Sequence, residues 1–349
     1  MIGRALVLLC SILTPLVSTH SHHGDAEDSQ QPFVGWTRED LDAKWGTDWG
    51  YTGISTFAHL DTARCLQYPE TEYDIAILGV PFDTAVTYRP GARFGPRAIR
   101  QASARQTAFR GFNPRAMFNP YKEWATVIDC GDIPVTPFDN ALGETDSTWP
   151  WVVTTLLLTS SIISALKQMS EAYTNLAYTN APAASKRSPV EYRHKPKLLS
   201  LGGDHSIALP TLRALNRIYG NVAVVHFDAH LDTWHPAKYP SAWIDKDNPN
   251  EQSFFTHGTM FWLAHNESLI AKDKSVHAGL RTRLTDLGDY EDDTAQGWVR
   301  IACDDIDDIG ADGIIKEIMS HVGTEMPVYL SIGEHIHDRQ TPCDISDVC

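Results

Sequence analysis

The sequence predicts a three-layer α/β/α fold around a mainly parallel sheet, for two reasons. Short apolar runs of strand length recur between Tyr73 and Ile332, and stretches with the spacing of amphipathic helices separate them. Strands that alternate with helices in this way form parallel sheets with helices on both faces. The runs cover residues 75–80, 126–130, 198–201, 222–227, 276–280, 299–303 and 328–332.

The amino-acid composition limits the classes of protein to which the chain belongs. Of its 349 residues, 42% are hydrophobic and 21% are charged, so the chain can build a large core and is not mainly disordered. It has 29 basic and 44 acidic residues and a net charge of -15. Because a surface that binds duplex nucleic acid is basic, we expect no nucleic-acid partner.

The N-terminus has the pattern of a secretory signal peptide over residues 1–19. An apolar stretch, residues 5–17, is too short to span a bilayer, and the small polar residues Ser18 and Thr19 offer a cleavage point. The alternative is a buried first helix, which Pro15 would interrupt. We therefore expect a secreted, extracellular protein with no membrane attachment after cleavage.

The rest of the chain divides into an arm, a domain and a tail. Residues 20–68 are polar and aromatic without a regular period, which predicts an N-terminal arm over the core. The domain covers residues 69–332, and the polar tail covers residues 333–349. Inside the domain, residues 152–169 predict a core helix, because Thr and Ser make them too polar for a membrane span. Residues 171–196 are rich in Ala, Pro, Ser and basic side chains and predict a surface loop.

The cysteines are few and widely spaced. The cysteines outside the predicted signal peptide form no CxxC pair, which argues against a disulfide scaffold or a zinc-cysteine site. One or two bridges are compatible with an oxidising compartment. The remaining cysteines are Cys65, Cys130, Cys303, Cys343 and Cys349.

Side chains with the chemistry of metal ligands follow two of the predicted strands. The run 198–201 leads into two glycines that permit a sharp turn, which places His205 at the carboxyl end of its strand, where open α/β sheets bind ligands. The run 222–227 leads into a second polar group. Alternate side chains of an extended backbone share a side, so this group points into one pocket. Its members are Asp228, His230 and Asp232.

These residues offer oxygen and nitrogen ligands without sulfur. Such a set suits manganese among the divalent ions, with zinc, cobalt and nickel as substitutes. Taken singly, Asp204 is explained as the cap of a helix that begins near Ile207, and His230 as a hydrogen-bonded core residue. Taken together, two carboxylates and an imidazole directly after an apolar strand, with no basic residue nearby in the sequence, favour a bound cation.

The motifs around these residues resemble those of the ureohydrolase family of arginases and agmatinases, over residues 73–332. The segments Gly203-Asp204-His205-Ser206 and Asp228-Ala229-His230-Leu231-Asp232 are the most specific of them. Residues 257–261 match the place where the family has a histidine near the substrate. The segments that resemble the agmatinase branch more than the arginases are 79–83, 89–96 and 129–132.

The resemblance implies an arginase-like fold and a centre with two Mn²⁺ ions per subunit. His205, Asp228 and Asp232 would hold one ion, and Asp228 with His230 the other. His257 would contact the substrate and relay protons at the mouth of the pocket. A hydroxide shared by the two ions would attack the carbon of a small guanidino substrate, and for agmatine the products are urea and putrescine. The resemblance also implies a homo-oligomer.

The C-terminus departs from the family pattern. After residues 328–332 the resemblance implies two aspartates at alternating positions, but this chain has Gly333 and His335, so the second metal site is incomplete and the C-terminal part of the fold is missing. Three explanations remain open. The tail supplies replacement ligands, the chain is a secreted pseudo-enzyme that binds metal or a guanidino ligand without turnover, or the tail is an intron read as protein. The candidate replacement ligands are Glu334, His335, His337 and Asp338.

The intron hypothesis follows from the codons that can encode the start of the tail. Gly333-Glu334-His335 can be written GGT GAG CAT, which contains a splice-donor-like GTGAG after a G, the first base of an aspartate codon. The spliced product would then regain both aspartates. Two alternatives of other classes are weaker: metal capture by a mature N-terminus with His22 in third place, and a histone-deacetylase-like enzyme with a related α/β architecture.

Overall fold

The computed structural model describes residues 54–122, 125–135, 165–179, 195–237 and 255–333, together with Thr37, Glu39 and Ala181. By its internal contacts the chain divides into Met1–Thr47 and Asp48–Cys349. All of the described strands lie in the second of these units. The predicted signal peptide, and the tail beyond Gly333, lie outside the described residues.

All of the apolar runs predicted as strands form strands, and every pairing between them is parallel. They make one three-stranded sheet in the order β2-β1-β3 and one four-stranded sheet in the order β6-β5-β4-β7. The predicted parallel α/β architecture is thereby confirmed. The strands are β1 Ile75–Gly79, β2 Val127–Asp132, β3 Lys197–Leu201, β4 Ala223–Phe227, β5 Ser275–Leu280, β6 Trp298–Ala302 and β7 Val328–Ile332.

Helices alternate with the strands along the chain. A helix begins at Gly95 with Pro96 in its first turn, where the missing N–H of proline costs nothing. The two helices around β3 pack against each other, and the last helix precedes β7. Their bounds are α1 Gly95–Ser103, α2 Ala165–Tyr178, α3 Ala208–Tyr219, α4 Met260–Asn266, α5 Gly288–Ala295 and α6 Asp305–Val322.

Alternating residues of β4 belong to two different cores. Val224 packs into the larger cluster, which includes residues of α2 and α3, whereas Ala223 and Val225 pack into a cluster with Ile318 and Val322 of α6. Because successive strand residues point to opposite faces, the two clusters lie on opposite faces of this sheet. Helices therefore cover both faces of β4, as a three-layer fold requires.

The prediction of a surface loop over residues 171–196 is wrong in its first part. Helix α2 runs to Tyr178, and Ala172, Tyr173 and Leu176 are buried in the main core. The reason is that these side chains continue the three-to-four-residue spacing set by Met169, which the local abundance of polar residues concealed. Of the predicted core helix over 152–169, only residues 165–169 lie in the described part of the chain, and they are helical.

The described end of the predicted arm packs on the domain. Ala58 and Leu60 are buried beside Ile77 and Leu201, and a disulfide joins Cys65 to Cys130 within β2. This bridge holds residues 54–68 against the three-stranded sheet. Among the described residues, none of the helices combines the length and apolar character that a bilayer-spanning helix needs.

A groove separates the two sheets along β3 and β7. Each of these strands ends its sheet and has one edge without a strand partner in the described part of the chain. A cavity of about 710 Å³ lies along both strands and extends to the residues that follow β3 and β4. The groove therefore opens, at its carboxyl end, onto the predicted metal site.

Candidate metal centre

The turn after β3 is fixed by close backbone approach. A Cβ atom on Gly203 would collide with the carbonyl oxygens of Phe82 and Val80, and one on Gly95 would collide with the carbonyl oxygen of Gly202. The Gly203 N–H donates to the Val80 carbonyl at 3.1 Å. Only glycine permits this packing, and it orients the following Asp204-His205 pair at the end of the strand.

Asp204 holds the turn rather than facing the ligand pocket as a free carboxylate. Its side chain accepts hydrogen bonds from the N–H of Ser206 at 2.9 Å and of Ala85 at 3.2 Å, and from the Ser206 hydroxyl. Burial raises the pKa of Asp204 to about 6, against the lowering effect of these bonds. Asp204 caps the short 3-10 helix His205–Ile207, whereas the N-cap of α3, the helix predicted to begin near Ile207, is Ile207 itself.

His205 stands between the two sheets. Its Nδ1 atom lies 2.7 Å from Asp232 Oδ2 and 3.8 Å from Asp228 Oδ2, and its Nε2 atom lies 2.7 Å from Ser331 Oγ on β7. Burial lowers the pKa of His205, but the hydrogen bond and charge of Asp232 outweigh burial, so the pKa is raised above its ordinary value.

The carboxylates that follow β4 are buried at the same edge. Asp228 and Asp232 are 5% and 4% exposed. Burial raises the pKa of each, but the neighbouring histidines outweigh it, and both pKa values lie below the ordinary range. Asp232 has a φ of 57°, in the left-handed region that aspartate tolerates better than most residues. Two ionised carboxylates thus share a small buried volume.

His230 and His257 line the same cavity. The His230 side chain is 29% exposed, and its Nδ1 atom lies 3.4 Å from Asp228 Oδ1. His257 Nε2 lies 3.0 Å from Thr87 Oγ1, and burial lowers the pKa of His257. The structure therefore brings all of the predicted site residues to one cavity, with His205, Asp228 and Asp232 closest together.

His226 is a site residue that the sequence analysis missed. It is fully buried on β4, and ligand atoms of His205, His226, Asp228 and Asp232 all lie within 4.8 Å of one another. Burial lowers the pKa of His226 to about 4, so its imidazole is neutral near pH 7. The sequence did carry a sign of this, because residues 226 and 228 are two apart and so point to the same side of an extended strand. The sign was hidden because residue 226 lies inside an apolar run that predicts a core strand.

Gly333 occupies the place where the resemblance implies an aspartate. A Cβ atom built there would collide with Asp228 Oδ2, and the Gly333 N–H donates to the Phe227 carbonyl at 2.8 Å. A side chain at 333 would thus point at the carboxylate predicted to bridge two ions. In this chain the position contributes no ligand.

The donor set of the described residues fits one divalent cation better than two. His205, Asp228 and Asp232 offer two carboxylates and an imidazole, which matches the oxygen and nitrogen preference of manganese. The buried Nε2 atom of His226 has no hydrogen-bond partner, as expected for an atom that faces a cation site. For a second ion, only Asp228 and His230 of the predicted ligands are available among the described residues.

Two arginines, one in the agmatinase-like segment 89–96 and one just after it, have acidic partners. Arg93 binds the buried carboxylate of Asp83 through its Nε atom at 2.5 Å. Arg100 binds Asp129 at 2.8 Å and Asp132 at 2.5 Å, and so joins α1 to the end of β2. These ion pairs order the loops that surround the cavity.

Fold and site together define a parallel α/β protein with a cluster of nitrogen and oxygen donors, suited to a metal ion, at the carboxyl ends of its strands. A sequence model of the Arginase family matches residues 73–336. The chain belongs to this family, the ureohydrolases named above from their motifs, and its relatives place it on the agmatinase-like side.

Two relatives from Schizosaccharomyces pombe show this similarity. "Putative agmatinase 3" is 40% identical over 296 residues, which cover 82% of this chain and 64% of that protein. "Putative agmatinase 1" is 38% identical over 307 residues, which cover 85% of this chain and 68% of that protein. The chain thus spans about two thirds of the length of these relatives.

Solved structures support the same assignment. Proclavaminate amidino hydrolase from Streptomyces clavuligerus is 29% identical with a TM-score of 0.59, and the match covers 82% of this chain and 75% of that one. A hypothetical agmatinase from Burkholderia thailandensis is 28% identical with a TM-score of 0.56, covering 80% and 69%. The predicted arginase-like fold is therefore confirmed.

Proposed function

We propose that this protein, in a form with aspartates at positions 333 and 335, hydrolyses a guanidino compound, with agmatine as the substrate and urea and putrescine as the products. The observation that carries the proposal is the cluster of His205, Asp228 and Asp232 at the buried end of a cavity that His257 also lines. Its relatives named agmatinase supply the substrate class.

The residues of the cavity suit this reaction in two ways. Asp228 and Asp232 give its buried end a negative potential, which attracts a guanidinium cation as well as divalent metal ions. When bound by His205, Asp228, His230 and Asp232, manganese ions would lower the pKa of a water molecule and polarise the substrate.

His257 is placed to move the proton that the leaving amine requires. Burial lowers its pKa, which keeps the imidazole largely neutral near pH 7 and able to take up a proton. The contact with Thr87 Oγ1 orients the ring at its Nε2 atom. A neutral and oriented imidazole is suited to act as a proton relay beside the cation site.

A second candidate function is favoured by one observation, the absence of a side chain at Gly333. The chain as written would bind a single metal ion or a guanidino ligand without turnover, because two of the expected ligands are missing. In this case the family relationship describes the fold and ancestry, and the activity belongs to a form with aspartates at 333 and 335.

Sequencing of the messenger RNA across codons 331–349 decides which form the cell makes. We expect the reads to lack the segment after the first base of codon 333 and to encode aspartates at positions 333 and 335. The product of that message, incubated with Mn²⁺, should release urea from agmatine, and its Asp232→Asn variant should not. Failure of the restored, metal-loaded protein to release urea from agmatine would overturn the proposed reaction.

Secretion is the proposed location. The signal-peptide pattern of residues 1–19 and the Cys65–Cys130 disulfide support it, because disulfides persist mainly in oxidising compartments. The test is N-terminal sequencing of protein recovered from the culture medium. We expect the mature chain to begin at residue 19 or 20, and a full-length intracellular product would contradict this.

A further inference from the structure

The turn that ends helix α4 carries the one acceptor sequence for N-linked carbohydrate in the chain. Asn266-Glu267-Ser268 fits the pattern Asn-x-Ser/Thr, and none of the other nine asparagines does. Asn266 is the last residue of α4, and all three residues of this sequon are exposed. A carbohydrate on Asn266 would therefore lie in solvent, as such a bulky polar group requires.

The sequon coincides with the exposed part of the turn. Leu263 and Ala264 before it, and Leu269 and Ile270 after it, belong to the main core. A rotation of the helix end that buried Asn266 would bring these apolar side chains into water, which is unfavourable. The packing on both sides therefore fixes Asn266 at the surface.

The two side chains that carbohydrate transfer requires are available in the fold. Among the described residues, neither the Asn266 amide nor the Ser268 hydroxyl has a hydrogen-bond partner. Glu267, between them, is held by α3, because its carboxylate accepts two hydrogen bonds from Arg213 at 2.7 and 2.8 Å. The turn is thus anchored through its middle residue, and its two outer residues stay free.

The backbone of the sequon forms a regular helix end. The Ser268 N–H donates to the His265 carbonyl, and the Leu269 N–H donates to the Ala264 carbonyl, each at 2.9 Å. These two bonds are those of a Schellman motif, in which the residue at the position of Ser268 has a left-handed conformation. Ser268 accordingly has a φ of 56°.

Serine is an unusual residue for this position, which normally favours glycine. The residues with positive φ at the ends of α3, α5 and α6 are Gly220, Gly297 and Gly323. Glycine at 268 would relieve the backbone strain, but it would remove the hydroxyl that makes Asn266 an acceptor. The acceptor sequence therefore accounts for a residue that the helix end alone does not favour.

The sequon lies at the opposite end of β4 from the candidate metal centre. Ile270, two residues after Ser268, forms a bridge with Val222, which precedes the strand, whereas Asp228 follows the strand. A strand of five residues is about 16 Å long. A carbohydrate on Asn266 would therefore leave the candidate metal ligands accessible.

We propose that Asn266 is an N-glycosylation site of this protein. In the transfer, the Asn266 Nδ2 atom loses a proton and forms a bond to the anomeric carbon of an oligosaccharide, while the bond from that carbon to the diphosphate of a polyprenyl carrier breaks. The donor is a lipid-linked oligosaccharide of the secretory pathway, and polyprenyl diphosphate is the leaving group. The inference rests on the proposed secretion of the chain and is independent of the metal site and the substrate.

Melting temperatures test the explanation for serine at 268. In the Asn266→Gln chain, where no glycan forms, a further Ser268→Gly change should raise the melting temperature by about 1–3 °C, because glycine relieves the strain. Ser268→Ala should leave it nearly unchanged, because alanine at the same φ is strained as well. A lower melting temperature for Ser268→Gly would show that the serine stabilises the turn, and would contradict the explanation by the acceptor sequence.

Enzymatic removal of the glycan tests the modification itself. The full chain with its own N-terminus is expressed in a eukaryotic secretory host, and total protein from cells and medium is compared on a denaturing gel before and after treatment with a peptide-N-glycosidase. We expect treatment to increase the mobility of the parent. Mass spectrometry should then find aspartate at position 266, because the enzyme converts the modified asparagine to aspartate.

Two variants and a control locate the site. Asn266→Gln and Ser268→Ala should migrate like the treated parent and should not respond to the enzyme. Asn175→Gln, at an exposed asparagine of α2 outside any sequon, should respond like the parent. Because total protein is analysed, a variant that folds poorly and is retained in the cell still reports the modification.

The N-terminal sequence of the same protein separates two kinds of failure. A chain whose signal peptide has been removed but that carries no glycan at Asn266 overturns this inference alone. A chain that keeps residues 1–19 and carries no glycan overturns the proposed location as well. The expected result is a shortened chain with a glycan at Asn266.

Discussion

The Nε2 atom of His205 lies 2.7 Å from the Ser331 hydroxyl, which links the residue after β3 to the end of β7 across the groove. This contact leaves the His205 Nδ1 atom facing Asp228 and Asp232. The orientation of His205, a predicted metal ligand, thus depends on β7, the strand that precedes the tail.

Replacement of Ser331 by alanine tests this dependence. Ser331→Ala removes the partner of His205 Nε2, so we expect Mn²⁺ to bind about tenfold more weakly, as is typical for lost support of a ligand. The free energy of unfolding should fall by about 1 kcal/mol, the usual contribution of one hydrogen bond. Calorimetric titration and urea unfolding measure the two effects, and Ser320→Ala on α6 is the control. Equal Mn²⁺ affinity in both variants would show that the contact does not orient the ligand.

Removal of a predicted ligand should abolish the stabilisation that metal provides. Asp232→Asn deletes the carboxylate bonded to His205, so we expect manganese to raise the melting temperature of the parent chain and to leave this variant unchanged. Asp312→Asn, at an exposed position of α6, should respond like the parent. Differential scanning fluorimetry with and without Mn²⁺ makes the comparison. An equal rise in Asp232→Asn would place the ion elsewhere.

The ion pair of Asp83 and Arg93 should make part of the stability depend on pH. Burial raises the pKa of Asp83, but the bonds from Arg93 and Gly91 outweigh it, and the pKa lies below the ordinary value. The unfolded state, with an aspartate pKa of about 3.9, then binds more protons, so this contribution is complete above about pH 5 and is lost as the pH falls through the folded pKa.

The variant Asp83→Asn measures that contribution. We expect a loss of about 1–3 kcal/mol at pH 7 and a smaller difference from the parent near pH 3, because protonation has then removed the same interaction in the parent chain. Urea unfolding of metal-free protein at both pH values gives the difference. A gap that grows as the pH falls would contradict the sign of the shift.

The disulfide between Cys65 and Cys130 should contribute to stability through the unfolded chain. It closes a loop over a sequence separation of 65 residues, for which loop entropy predicts about 4 kcal/mol. The double variant Cys65→Ser with Cys130→Ser should unfold at a correspondingly lower urea concentration, and Cys303→Ser should not. The test is urea unfolding under non-reducing conditions, and equal midpoints for the double variant and the parent would contradict the prediction.

The strands and the cluster of candidate metal ligands were predictable because both depend on local patterns. Apolar runs of strand length marked every strand, and the alternation of Asp228, His230 and Asp232 placed them on one side of the chain. The second half of α2 was missed because its polar neighbours masked the spacing of Ala172 and Leu176. His226 was missed because it lies inside an apolar strand. Only the fold shows that its side chain contacts His277, which is distant in sequence, and lies near Asp228.

The groove could not be predicted from local sequence at all. Strand order depends on which edges pair, and only the fold shows that, among the described residues, β3 and β7 each have one edge without a strand partner. The exposed side of β7 also has the same apolar residues as a fully buried strand, so its sequence gives no sign that a covering layer is lacking.

The most direct test of the account is the number of metal ions that the chain holds. The purified protein is dialysed against Mn²⁺ and analysed by elemental mass spectrometry, with Asp228→Asn measured in parallel. The account predicts one ion per chain in the parent, none in Asp228→Asn, and two in the product with aspartates at 333 and 335. A parent chain that retains no manganese, or an Asp228→Asn variant that retains as much as the parent, would contradict it.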